Sequence, residues 1–190
     1  MQITFTLTGT KPMLQRNGRL ANPLDPYTRK LRSITSQRKK TDDDLYAIMQ
    51  IEARGSCWET DDGLLGIQNA AVWRSIYDAA KAFKLGEDVK RALHFEDTTV
   101  PLAIDGGKVT CDDYISDAAH IDYRPVKVSG RKTMRARPII QPGWTSSHSM
   151  ELVDSVIRVD DLGPVLERAG RLVGIGDWRP TYGTYSIEVA

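Results

Sequence analysis

Arg135 and Arg137 stand two apart in the run Thr133-Met134-Arg135-Ala136-Arg137, and the chemistry that this spacing suits is the binding of phosphate. Alternate side chains of a strand share a face, so the two guanidinium groups point together with Thr133 beside them, while Met134 and Ala136 face the other way. Guanidinium forks match phosphate oxygens and also stack on bases, which makes such a face a track for single-stranded nucleic acid. Lys127, Arg131 and Lys132 extend the basic set on the same stretch, and Arg38, Lys39 and Lys40 form a second one upstream. Near the C-terminus, Gly174-Ile-Gly-Asp-Trp-Arg-Pro-Thr-Tyr-Gly183 joins the closely spaced Gly174 and Gly176 to Trp178 and Arg179. Glycines let a loop fold over a phosphate backbone and offer it their N–H groups. The same segment also reads as a tight turn that packs Trp178 into the core.

Catalytic chemistry has fewer candidates. The chain contains no GxSxG elbow, HExxH, P-loop or GxGxxG opening a helix. Any of His94, His120 and His148 could serve as the base of a metal-independent endoribonuclease, because imidazole titrates near neutrality. His94 precedes Phe95 in an apolar stretch and His148 lies at a strand start, positions that suit structural roles. Asp112, Asp113 and Asp117 lack the glycine and glutamate spacing of a calcium loop and read as a solvated acidic segment. Cys57 and Cys111 have no CxxC partner or neighbouring histidine cluster, so they read as reduced thiols. No metal and no cofactor is expected.

The bulk properties narrow the partners. The 190 residues suit one domain with insertions, and 41% hydrophobic with 27% charged residues excludes a disordered tail. No run of 18 or more apolar residues occurs and the opening MQITFTLTG is not an export signal, so a cytoplasmic protein without membrane contact is expected. The net charge of +1 gives no overall field toward a polyanion, but it conceals local separation into basic and acidic clusters.

The elements that must position these residues follow from periodicity. Ile3, Phe5 and Leu7 alternate with threonines in a half-buried strand, and Thr41 with Asp42, Asp43 and Asp44 forms a helix start that runs to Gly55. Val72, Ile76, Ala79, Ala80 and Phe83 make an apolar stripe over 69–84, with Gly86 as the stop. Tyr123–Val128 and Thr133–Ile140 read as hairpin strands joined by Ser129-Gly130-Arg131-Lys132. Ser147–Arg158 reads as a strand, Asp160 as the cap of a helix over 162–171, and Tyr182–Val189 as the closing strand. Setting aside excursions at about 11–62 and 86–121, the order is strand, helix, hairpin, strand, helix, strand. That order predicts an α+β, ferredoxin-like (RRM-like) antiparallel sheet with helices on one face.

Three segments resemble the CRISPR-associated RAMP superfamily, whose RRM-like members line or process guide RNA. Gly9-Thr10-Lys11-Pro12-Met13-Leu14 is similar to that family's "G-x-x-P-L-L" exit from the first strand. Leu65 to Ala80, Leu-Gly-Ile-Gln-Asn-Ala-Ala-Val-Trp-Arg-Ser-Ile-Tyr-Asp-Ala-Ala, resembles its "I-P-G-S-S-L-K-G-A-L-R-x-A" lead-in to the first helix. Gly174 to Gly183 resembles its C-terminal "G-x-x-R-S-x-G-Y-G" loop. Together they cover roughly a third of the chain, and solitary phage and prophage products have a similar opening and ending. The resemblance implies a non-catalytic protein that binds RNA or single-stranded DNA and assembles head-to-tail as a homo-oligomer or filament along the strand. An endoribonuclease of the same fold, and a phage interaction protein binding a host protein or a small nucleotide, are the alternatives.

Overall fold

A computed structural model describes residues 1–96 and 98–189. The opening strand β1 (Gln2–Gly9) is followed by the two-residue β2 (Met13–Leu14) and by two helices, α1 (Pro26–Thr35) and α2 (Asp42–Ser56). Next come β3 (Gly66–Gln68), α3 (Asn69–Ala80), α4 (Gly86–Ala92), β4 (Leu93–Phe95), β5 (Thr99–Pro101), β6 (Ala103–Ile104), β7 (Gly107–Lys108) and α5 (Cys111–Ser116). The long strands β8 (Ile121–Val128), β9 (Arg131–Ile140) and β10 (Thr145–Leu152) follow, then α6 (Val159–Arg168), which runs into a π-helical turn over Ala169–Val173, and finally β11 (Tyr185–Val189).

The fold is α+β, and its main sheet places β11, β1 and β10 side by side, with β4 against the far edge of β10 and every pairing antiparallel. Taken with α3 and α6, these strands follow the chain as β-α-β-β-α-β in the spatial order fourth, first, third, second. That is the connectivity of the ferredoxin-like arrangement.

Two parts of the expected layout exchange places. The second core strand is β4, inside the segment 86–121 that the sequence pattern assigns to an excursion. The β8–β9 hairpin, expected within the main sheet, instead pairs with β2 in a separate three-stranded sheet. Helix boundaries shift for local reasons. Lys84 in the left-handed region (φ 61°) ends the turn after α3, and Gly86 opens α4 instead of stopping α3. The N-cap of α6 is Arg158, two residues before Asp160.

Ile3, Phe5 and Leu7 of β1 are buried against Val72 and Ile76 of α3 and Leu162 and Val165 of α6, within one core. Each such side chain contributes about 1.5–3 kcal/mol on burial. The opposite face of the sheet is open and lined by small polar groups. Gln2, Thr4, Thr6 and Thr8 stand beside Glu151, Ser149, Ser147 and Thr145, with Ser186 and Glu188 on the other flank.

The excursion before β3 holds the helix expected from the Thr41 cap, α2, and a further one, α1, that the sequence pattern did not mark. Thr41 Oγ1 accepts from the Asp44 N–H and the Asp44 carboxylate accepts from the Thr41 N–H, so two otherwise orphaned donors at the start of α2 are satisfied. Cys57 and Cys111, at the end of α2 and the start of α5, are free thiols and fully buried.

Candidate nucleic-acid interface

The β8–β9 hairpin pairs over eight positions, from Ile121↔Pro138 at its root to Val128↔Arg131 at its tip. Ser129 and Gly130 make the two-residue turn with φ of 47° and 84°, the pair of positive values that matches the twist of the strands. Burial falls along it, from Asp122 and Arg137 at the root to wholly exposed residues at the tip.

One face carries Tyr123, Pro125 and Lys127 with Met134 and Lys132, and the other carries Asp122, Arg124, Val126 and Val128 with Arg137, Arg135, Thr133 and Arg131. The outer edge of β9 pairs with β2 only at Ile139 and Ile140. Beyond that point α2 takes over. The Glu52 carboxylate accepts from the Ala136 N–H at 3.1 Å, and Ser56 Oγ donates to the Ala136 carbonyl at 3.3 Å. The backbone groups that a longer β2 would have paired are thus satisfied by side chains.

Arg135 and Arg137 share a face, as alternation requires, but neither is free for phosphate. Arg137 is 2% exposed and donates to Asp122 at 2.8 Å and Asp177 at 3.0 Å. Arg135 donates to Glu52 at 3.1 Å, alongside Arg16 at 2.9 Å. Arg124 shares the Asp122 carboxylate with Arg137 and donates to the Tyr182 hydroxyl at 2.9 Å. The paired-arginine track expected from the sequence is therefore an internal ion-pair network that fastens the hairpin root to the body.

The C-terminal glycine segment closes over this root. Asp177 N–H donates to the Leu14 carbonyl and Gly183 N–H to the Pro12 carbonyl, both at 2.8 Å, while Ile175 N–H donates to the Gly183 carbonyl at 2.9 Å. Gly174 N–H is likewise spent, on Ala169. A Cβ at Gly176 would stand 2.4 Å from the Leu14 carbonyl oxygen. Gly174 and Gly176 thus serve close backbone approach within the fold, and the N–H groups of Gly174, Ile175, Asp177 and Gly183 are already taken by backbone carbonyls. Arg179 donates to Asp78 of α3 at 3.1 Å. Against the upward push of partial burial, hydrogen bonds from Lys81 and Arg74 hold the Asp78 carboxyl at about 2. Arg179 is a staple between the loop and α3.

Trp178 differs from its neighbours. It is 44% exposed, and its ring centroid lies 4.6 Å from the Arg137 guanidinium and 5.1 Å from that of Arg124. The indole covers the root of the hairpin and stays open to solvent, which answers the ambiguity in the sequence between core and surface.

Lys127, Arg131 and Lys132 on the outer hairpin are among the described cations that form no ion pair, as are Arg29, Lys30 and Arg32 of α1. Arg38, Lys39 and Lys40 are also exposed, in the link between α1 and α2, with Lys40 donating to the Gln37 carbonyl. None of the hydrogen bonds of the described residues joins that link to the hairpin. Tyr123 and Met134, 38% and 41% exposed beside Lys127 and Lys132, are surface groups that the sequence pattern did not single out. Their signal was their parity with the lysines.

No family model and no curated protein sequence matches the chain. The RAMP-like segments map to β1 with β2, to β3 with α3, and to the loop before β11.

The histidines are dispersed. His94 lies on β4 opposite Glu151, and His120 stacks on Tyr114 at 4.1 Å with Nδ1 on the Tyr114 carbonyl. His148 is buried beneath Asn69, and burial pushes its imidazole down to about 4. Among the described residues no hydrogen bond links any of the three to an arginine or lysine that could stabilise a phosphorane.

Proposed function

We propose that this chain is a non-catalytic protein that binds single-stranded nucleic acid along the outer β8–β9 hairpin. The observation that carries the reading is the hairpin itself. It projects Lys127, Arg131 and Lys132, free of carboxylate partners among the described residues, with Tyr123 and Met134 exposed between them and the root. Mobile ammonium and guanidinium groups suit backbone phosphates, and an adjoining aromatic ring suits an unstacked base. The open sheet face carries serines, threonines and two glutamates, with His94 set beside Glu151 and Lys108 toward the edge, against three cations grouped on the outer hairpin. The site is therefore read on the hairpin and not on the sheet.

The test is fluorescence anisotropy with a labelled single strand and the matching duplex, titrated between about 50 and 200 mM salt. Binding of the single strand should weaken steeply with salt. The combined Lys127→Ala, Arg131→Ala, Lys132→Ala variant should lower the slope of log K against log salt by about 2, since each phosphate contact on a single strand contributes about 0.7. A slope unchanged by the triple variant, or affinity indifferent to salt, refutes the reading.

A further inference from the structure

We infer that the outward face of Trp178 is a stacking platform for one base of the bound strand, a deepening that rests on the nucleic-acid reading above. The chain has four tryptophans, and their settings differ. Trp58 and Trp144 are 5% and 1% exposed, and Trp73 is half-buried and stacked on Tyr77 at 5.2 Å. Trp178 leaves nearly half its surface in water although its backbone is fixed.

That backbone is held on both sides. The preceding N–H, of Asp177, donates to Leu14, and the Trp178 carbonyl accepts from the Tyr182 N–H at 3.1 Å. Trp178 itself sits at φ 56°, a conformation that an indole residue adopts only where its surroundings impose it. A rigid, half-exposed aromatic ring loses little freedom on meeting a ligand.

Charge decides what that ligand meets. Arg124 and Arg137 come from one face of the hairpin, both bind Asp122, and both approach the indole ring. With Asp177 on Arg137, two cations face two carboxylates, so the root of the hairpin has no net charge to offer a phosphate. What it presents is a half-exposed indole with two guanidinium groups about 5 Å from its centroid, the Arg137 group among them buried. Arg131 lies on the same hairpin face, six residues and about 20 Å toward the tip, where it can take a phosphate while the base rests on Trp178.

The experiment compares an intact single strand with the same strand carrying abasic sites, for the wild type, Trp178→Ala and Trp178→Phe. The wild type should bind the abasic strand about tenfold more weakly. Trp178→Ala should lose about tenfold on the intact strand and little on the abasic one, so that discrimination shrinks to what Tyr123 supplies, and should keep the wild-type salt slope, while Trp178→Phe keeps most of the discrimination. Equal wild-type affinity for the two strands, or discrimination as large in Trp178→Ala as in the wild type, overturns the inference and leaves the phosphate contacts of the hairpin standing. Equal loss on both strands with a lowered thermal midpoint marks a purely structural indole and overturns it too. If the wild type binds neither strand, the nucleic-acid reading itself fails.

Discussion

Lowering the pH from 7 to 5 should cost this protein about 2 kcal/mol of stability through His148 alone. Asn69 Nδ2 donates to the Glu96 carbonyl at 2.9 Å and to Thr98 Oγ1 at 3.0 Å, which turns Asn69 Oδ1 toward His148 Nδ1 at 2.7 Å. Nδ1 therefore carries the ring proton, and Nε2 is a lone pair in the core with no partner among the described residues. Protonating it would bury a charge, which is why burial lowers the group from 6.5 to about 4. Between those two values the unfolded chain binds the proton and the native state does not. The stabilisation is full above pH 6.5 and falls away as the pH drops toward 4, by about 1.4 kcal/mol per unit. Over the roughly 1.5 units from 6.5 to 5 this amounts to about 2 kcal/mol. Urea unfolding of the wild type and of His148→Gln at both pH values isolates the effect, since the glutamine amide can still donate to Asn69 but does not titrate. An NMR titration of the ring gives the native value directly. Native titration above about 6, or equal pH dependence in wild type and variant, would refute the argument.

Two further substitutions test the scaffold. Glu52→Gln should cost about 2 kcal/mol in urea unfolding, below the usual penalty for breaking a buried pair because Arg16 and Arg135 are 29% and 33% exposed. By releasing Arg135, it should also raise the salt slope of strand binding by about 0.7; a stability change under about 0.5 kcal/mol would show that Glu52 does not anchor β9. Gly183→Ala places a Cβ 1.8 Å from the Ile175 carbonyl oxygen at φ 74° and should lower stability by more than about 3 kcal/mol. Gly63→Ala, at φ 80° with nothing within 4 Å, should cost only about 1 kcal/mol. Similar thermal midpoints for the two variants would count against close packing of the terminal loop.

Local features were legible in the residues and their partners were not. The alternation of β1, the Thr41 cap and the stripe of α3 are written in neighbouring side chains, so periodicity and capping found them. β4 escaped because three residues are too few to show a period, and its place is set by β10, more than fifty residues away in the chain. Alternation also identified the hairpin strands but cannot say which sheet they join. The same limit applies to the arginines. Parity put Arg135 and Arg137 together correctly, but the carboxylates that claim them lie elsewhere, Glu52 83 residues from Arg135 and Asp177 40 residues from Arg137. On the hairpin the cations outside any ion pair, Lys127, Arg131 and Lys132, are the ones nearest the turn, where no body of protein is within reach to supply a carboxylate.

The central position of β1 has a consequence for biosynthesis. Its two neighbours are β10 and β11, and Phe5 pairs with His148 on one side and Val189 on the other. From position 5 to position 148 the ribosome must add 143 residues, which at about 5–20 residues per second takes roughly 7 to 29 s. Throughout that interval Ile3, Phe5 and Leu7 have no sheet to enter. The nascent chain therefore carries this strand unpaired with its apolar face uncovered, and a holding chaperone at the tunnel exit would act on it over that interval.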